Sequence, residues 1–249
     1  MDTYIGWGYS KLPLIPLRAE PSERSEMVTQ ALYGERMVIL EQQSDWSQVE
    51  LSDDGYTGWC STKMITAFTK EMWDAAALND RRYVTQPISR CLCAGKTLLL
   101  PAGSRLFPED VLMEDIVEEP IGLLNPSEVA HRFMNAPYLW GGKSILGMDC
   151  SGLVQLSYLL TGINLPRDAG QQVLLGELLL TLDETHPGDL AFFANPAGKI
   201  VHVGLILADG CVIHASGSVR IDRLDKEGIF NRETLSYSHR LSQLRRLSF

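Results

Sequence analysis

No stretch of this 249-residue chain approaches the roughly 20 consecutive apolar residues of a membrane-spanning helix. Its start, Met1-Asp2-Thr3-Tyr4-Ile5-Gly6-Trp7-Gly8, lacks the basic segment and apolar run of a secretory signal. A cytoplasmic protein with no membrane partner is therefore expected. Runs of Lys and Arg are also missing and the formal net charge is −9, which speaks against nucleic acid as a partner. Cysteine is sparse. The five present, Cys60, Cys91, Cys93, Cys150 and Cys211, are odd in number and lack the spacing of a disulfide framework, and free thiols fit a reducing compartment. Cys91 and Cys93 have no second ligand pair and read as alternation on a strand, so neither a metal nor another cofactor is expected. A hydrophobic share of 45% and a charged share of 21% are those of an ordinary globular chain.

Residues 1–70 carry short apolar runs, Met37-Val38-Ile39-Leu40, Trp46-Ser47-Gln48-Val49 and Gly58-Trp59-Cys60. Turn signals separate them at Glu20-Pro21-Ser22, Tyr33-Gly34-Glu35 and Asp53-Asp54-Gly55. Frequent turns between short strands predict a small all-β barrel. Residues 71–125 contain Leu98-Leu99-Leu100-Pro101-Ala102-Gly103-Ser104-Arg105-Leu106, a strand, a turn and a strand, interrupted by an acidic stretch from Glu109 to Glu119. They read as a second, degenerate barrel or as a connector. Asn125-Pro126-Ser127-Glu128 then opens a helix, with Asn125 or Ser127 as its cap, and residues 126–249 are expected to form one further domain.

Chemistry concentrates in that last domain. Asp149-Cys150-Ser151-Gly152 begins a predicted helix running to Leu160, with Asp149 as its cap and Gly162 just past its end. Cys150 thus falls in the first turn, where unpaired amides and the helix dipole are expected to lower the thiol pKa. A thiol nucleophile also needs a base, and the base needs a group to hold its ring. Two histidines follow on predicted neighbouring strands, His202 in Ile200-Val201-His202-Val203-Gly204 and His214 in Val212-Ile213-His214-Ala215-Ser216.

Register decides whether they cooperate. A two-residue Asp209-Gly210 loop pairs 205 with 214 and puts His202 and His214 on opposite faces. A three-residue loop pairs 207 with 211, hence 204 with 214, and puts both on one face as diagonal neighbours. The longer loop, or a bulge of equal effect, is predicted.

Tyr138 and Trp140-Gly141-Gly142, Asp149-Cys150-Ser151-Gly152-Leu153, Leu165-Pro166-Arg167-Asp168-Ala169, Pro187-Gly188-Asp189-Leu190, His202-Val203-Gly204 and Ile213-His214 occur in the order seen in the NlpC-type cysteine peptidases. Residues 126–249 resemble that family of papain-like bacterial cell-wall hydrolases. Leu17-Arg18-Ala19-Glu20-Pro21-Ser22, Gly34-Glu35, Trp46 and Gly55-Tyr56-Thr57-Gly58-Trp59 resemble the bacterial SH3-like domain. The fold class implied is α+β, a papain-like catalytic domain behind one or two SH3-like barrels. The resemblance implies Cys150 as nucleophile, His202 as general base, His214 as orienting residue, and the Cys150 amide with the Tyr138 hydroxyl as oxyanion donors.

The combination of both domain types resembles the γ-D-glutamyl-L-diamino acid peptidases of murein-peptide recycling. These cut between D-Glu and diaminopimelate or Lys when the L-Ala amine is free. The SH3-like domain is then expected to close the cleft and meet the amine through Tyr56 and an acidic neighbour, Glu26 ahead of Glu20. Asp149 and Asp168 flank the thiol in this pattern as carboxylates for the L-Ala ammonium, with Ser151 and Ala169 beside them, Arg167 is either a partner for a substrate carboxylate or half of a surface or structural ion pair, and Gly141 and Gly142 would let the substrate backbone come close. Three other readings carry different expectations: an exported endopeptidase acting on intact wall, a catalytically dead wall-binding module, and an acyl transferase.

Overall fold

Alternation of buried and half-exposed side chains builds the amino-terminal strands of the computed structural model, in which residues 4–78, 82–113 and 125–247 are described. Strands β1 (Gly6–Ser10), β2 (Leu14–Arg18), β3 (Met27–Leu32), β4 (Arg36–Gln43), β5 (Trp46–Leu51), β6 (Thr57–Ser61) and β7 (Ile65–Phe68) form one antiparallel sheet. Their order is β3-β2-β6-β5-β4-β1-β7. Ile15, Leu17, Ala31, Met37, Ile39, Val49, Leu51 and Cys60 make its core. Contacts divide the chain into two units, Met1–Glu119 and Pro120–Phe249.

The first unit also holds helix α1 (Lys70–Leu78) and the strands β8 (Arg82–Tyr83), β9 (Ile88–Cys93), β10 (Lys96–Pro101), β11 (Arg105–Leu106) and β12 (Val111–Leu112). These strands give a three-stranded sheet, β10-β9-β12, and the pair β11–β8. Cys91 and Cys93 both point inward from β9, as strand alternation requires. They pack with Val84, Leu100, Leu106 and Tyr33. Tyr33 follows β3, so residues 82–112 share a core with the seven-stranded sheet, and its hydroxyl donates to Asp110 at 3.2 Å. The acidic stretch ending at Glu119 lies outside the described residues from 114 onward.

In the second unit, helix α2 (Pro126–His131) starts on a capping box. The Asn125 side chain accepts from the Ser127 amide and Glu128 accepts from the Asn125 amide, so Asn125 and not Ser127 is the cap. A short hairpin, β13 (Lys143–Ser144) and β14 (Gly147–Met148), leads into α3 (Cys150–Leu159), and α4 (Ala169–Gln172) follows.

The remaining strands are β15 (Glu177–Leu179), β16 (Leu190–Ala194), β17 (Ile200–Leu207), β18 (Cys211–Ser216), β19 (Ser218–Leu224), β20 (Gly228–Asn231) and β21 (Ser236–Arg246). Their order is β15-β21-β16-β17-β18-β19-β20, and β20 also pairs with β21. That extra pairing closes β16 to β21 into a barrel, which removes its free edges. Ala191, Phe193, Ile206, Val212, Leu224, Ile229 and Leu244 share one apolar cluster on the barrel strands. Val203, Leu205, Ile213 and Ala215, of the opposite parity, are fully buried as well, and α3 packs across β17 and β18. Both faces of these two strands are therefore covered.

Candidate active site

Three residues, Ala208, Asp209 and Gly210, connect β17 to β18, since Leu207 pairs with Cys211 and Leu205 with Ile213. Asp209 and Gly210 adopt left-handed φ values of 60° and 67°, which Asp and Gly tolerate best. This is the predicted longer loop. It sets His202 and His214 on one face, and His202 Nε2 meets His214 Nδ1 at 2.8 Å. Gly204 is what lets the rings approach. A Cβ there would stand 2.9 Å from the Ile213 carbonyl oxygen and 3.0 Å from the His214 Cβ.

Asp149 caps α3 through a 2.7 Å bond from the Gly152 amide, which leaves Cys150 as the first residue of the helix, as the sequence implies. The recorded pairing of β17 with β18 does not extend to Val203, and the Val203 amide hydrogen-bonds the Cys150 sulfur, as does the Ser151 amide. The thiol thus lies against β17 at the residue that follows His202. One expectation is corrected here. Burial pushes the Cys150 thiol up to about 12, the Asp149 carboxylate adds to the rise, and the two amides and Arg167 only partly oppose it. The helix start does not win against desolvation. His202 is driven the other way, well below the usual imidazole value, by burial and then by the neighbouring His239 and His214. Burial thus disfavours the charged form of both the thiol and the imidazole.

Tyr138 sits on the loop before β13, anchored by its amide to the Gly217 carbonyl at 2.9 Å. Burial, followed by the charges of Cys150 and Asp149, pushes its phenol up to about 12. It stays a hydroxyl donor at any physiological pH, within electrostatic reach of the thiol.

Of the two roles open to Arg167 in the sequence, the structure shows the ion pair. Arg167 is 1% exposed, and its guanidinium donates to both oxygens of Asp149 at 2.9 and 2.6 Å and to the Ser151 hydroxyl at 2.9 Å. The carboxylate it grips is the protein's own, in the two-point geometry that Arg favours. Asp149 in turn accepts from Gly141, Gly152, Ser151 and Arg167. The pair is a clamp that fixes the start of α3 and not an open site for a ligand's charges. The close backbone approach at Gly142 is likewise internal, because a Cβ there would lie 2.3 Å from the Gly147 carbonyl oxygen.

Asp168 is exposed at the start of α4, and Ala169 is buried as its first residue. In the first unit, Tyr56 is half-buried in the loop between β5 and β6, its amide donating to the Asp54 side chain at 2.9 Å, and Glu26 is exposed just before β3.

Two residues absent from the sequence reading join the histidines. Asp222 on β19 accepts from or pairs with His214 Nε2 at 3.1 Å and holds Arg220 through bonds of 2.8 and 3.2 Å. His239 on β21 stacks on His202, with ring centres 4.0 Å apart. His202, His214 and His239 offer nitrogens within 4.8 Å of one another, a potential metal-ligand set. Asp222 had a readable signal: a charged residue two positions from Arg220 in a hairpin whose other strand carries His214. His239 had none, since its polar strand gives no inward face to the eye.

A model of the NlpC/P60 family matches residues 135–238. A model of the bacterial dipeptidyl-peptidase SH3 domain matches residues 17–65. The γ-D-glutamyl-L-lysine dipeptidyl-peptidase of Bacillus subtilis is 31% identical over 75% of this chain and 71% of its own length. The protein of the same name from Bacillus cereus is 27% identical over 89% and 78%. Dipeptidyl-peptidase 6 of Lysinibacillus sphaericus is 28% identical over 88% and 92%. The crystal structure of an NlpC/P60 family protein from Bacillus cereus superposes with a TM-score of 0.79 at 21% identity, covering 96% of this chain and 99% of that one. The α+β, papain-like fold is thereby shown.

Proposed function

This chain belongs to the NlpC/P60 family of peptidases, and we propose that it cleaves the γ-D-glutamyl bond to diaminopimelate or lysine in murein peptides, releasing L-Ala-D-Glu. The observation that carries the chemistry is the placement of the thiol and the two histidines, Cys150 at the start of α3 and His202 and His214 hydrogen-bonded on one face of β17 and β18. The Cys150 sulfur lies at the Val203 amide, and His202 beside it is tied through Nε2 to His214.

As the sulfur attacks the γ-carbonyl carbon of D-Glu, its proton passes to His202 Nδ1, the nitrogen turned away from His214. The Cys150 amide and the Tyr138 hydroxyl donate to the oxygen that becomes negative. The C–N bond breaks as His202 returns the proton to the leaving amine. Water, deprotonated by His202, then hydrolyses the thioester and frees Cys150.

Substrate choice is read from three relatives matched over 75% to 89% of this chain, each named a dipeptidyl-peptidase, whereas the probable endopeptidase NlpC of Escherichia coli, matched over 91% of its own length, aligns with only 56% of this chain. Those named probable endopeptidases in Mycobacterium and Listeria match only 38% to 40% of this chain. Tyr56 and Glu26 are the candidates to meet the free L-Ala amine, with the exposed Asp168 as a further carboxylate near the thiol and Ser151 and Ala169 as further candidate contacts. The proposal is tested by incubating the protein with L-Ala-γ-D-Glu-diaminopimelate, with L-Ala-γ-D-Glu-L-Lys and with intact sacculi. Release of L-Ala-D-Glu from the free peptides supports it. Release of wall fragments from sacculi, with the free tripeptides untouched, points to the endopeptidase reading instead.

A further inference from the structure

We propose that Asp222 is a positioning residue of the catalytic relay, one that dictates which nitrogen of His202 is bare and able to take the thiol proton. This rests on the reading of Cys150 and His202 as nucleophile and base.

Counting protons along the hydrogen bonds leads there. Asp222 is 5% exposed. Burial works to protonate it, but bonds from His214 and Arg220, with their charges, hold it below the ordinary carboxylate value. Arg220 fixes its orientation from the far side, Nε to Oδ2 at 2.8 Å and a second nitrogen to Oδ1 at 3.2 Å. An ionised carboxylate can only accept. His214 Nε2, 3.1 Å from Oδ2, therefore carries the hydrogen. A neutral imidazole with hydrogen on Nε2 is an acceptor at Nδ1. His202 Nε2, 2.8 Å from that Nδ1, must then donate. His202 is left with a lone pair on Nδ1.

The opposite polarity fits the same distances. His214 could carry its hydrogen on Nδ1 and donate to His202 Nε2, which would place the His202 hydrogen on Nδ1, where it blocks proton transfer. Only the acceptor at the end of the chain breaks this symmetry, and that acceptor is Asp222. When His202 becomes an imidazolium, the same chain leads its charge toward the buried carboxylate. His239 does not compete for the ring nitrogens. It lies face-on to His202 with the two rings tilted by 21°, and its own Nδ1 faces the Ser238 hydroxyl at 2.9 Å. The Glu233 carboxylate meets Arg220 at 3.3 Å.

The direct test is nitrogen NMR of the full-length protein with ¹⁵N-labelled histidine, at neutral pH and without substrate. Hydrogen on Nε2 of both His202 and His214 is expected. Hydrogen on Nδ1 of His202 overturns the proposal without any variant. In a second test, Asp222→Asn offers an amide donor to His214 and permits the reversed polarity. Its kcat on L-Ala-γ-D-Glu-L-Lys should fall about 100-fold or more with KM changed less than about threefold, as for other triads whose orienting carboxylate is made neutral, and the NMR tautomer of His202 should shift. A folded Asp222→Asn with kcat within about threefold of the unmodified protein contradicts the proposal. If Asp222→Asn does not fold, the spectrum of the unmodified protein still decides. The tautomer is read without substrate, so failure of the murein-peptide reading leaves this result intact.

Discussion

His202 Nε2 and His214 Nδ1 lie 2.8 Å apart, 12 residues distant in sequence, because a three-residue turn keeps both side chains on one face of the β17–β18 hairpin. Gly204, opposite His214, completes that arrangement. Gly204→Ala would bring its Cβ to 2.7 Å from Val212 Cγ2 and 3.0 Å from the His214 Cβ. Overpacking of this kind costs about 1–3 kcal/mol. Peptidase activity should fall further than stability does, since His214 Cβ, which carries the ring, is among the atoms that must give way. Parallel measurement of kcat and thermal midpoint checks this, and a variant with lowered midpoint but full kcat would show that the rings tolerate the shift.

Cys150→Ala should abolish turnover, and His202→Ala should be nearly as inactive. The double variant should be no worse than the poorer single one, because members of a nucleophile–base pair act as a unit. Single-turnover assays of the three proteins measure the coupling. Additive losses would mean that the two side chains act separately.

The Arg167–Asp149 pair makes a sharp distinction between a clamp and a ligand site. Both side chains are buried, at 1% and 7% exposure, and removing one partner leaves the other charge stranded. Arg167→Ala should cost about 3–5 kcal/mol in chemical denaturation. Were Arg167 instead a substrate anchor, the variant would keep its stability and lose only affinity, seen as a raised KM.

Acid should unfold this protein early. His239 is half-buried and its pKa is lowered to about 4, chiefly by burial and then by the His214 charge, and His202 is also held well below the ordinary imidazole value, first by burial. Their unfolded forms titrate near the ordinary value of about 6.5. A depressed imidazole pKa means that the unfolded chain binds more protons below that value, so the stability contribution is present above about pH 6.5 and is lost as pH falls toward 4. Denaturation free energies measured at intervals between pH 7 and 4 should decline, and His239→Gln should flatten the slope. An unchanged slope would place the acid sensitivity elsewhere.

Sequence order alone was enough to find Cys150, His202, His214 and the turn that joins the strands, because a two-residue side-chain period makes register a discrete choice. The capping role of Asp149 was equally legible, since it is local, and the cap of α2 was narrowed to Asn125 or Ser127. What escaped was set by partners distant in the chain. Arg167 reads equally as an anion binder or as half of an ion pair until Asp149, 18 residues earlier, is seen to fill its fork. The thiol reads as acidified by its helix until the depth of burial is known. Tyr33 ties residues 82–112 to the first sheet, and no spacing in the sequence announces it. His239 enters the site only because β21 closes the barrel.

Amine recognition is the most exposed part of the proposed function, and it is tested by comparing hydrolysis of L-Ala-γ-D-Glu-diaminopimelate with that of its amino-acetylated form by mass spectrometry. Cleavage of the free peptide alone, with L-Ala-D-Glu as product and a parallel loss of affinity in Tyr56→Phe and Glu26→Gln, is the expected result. Equal cleavage of both peptides would contradict a site that reads the free amine and would assign the protein to open-groove wall cleavage.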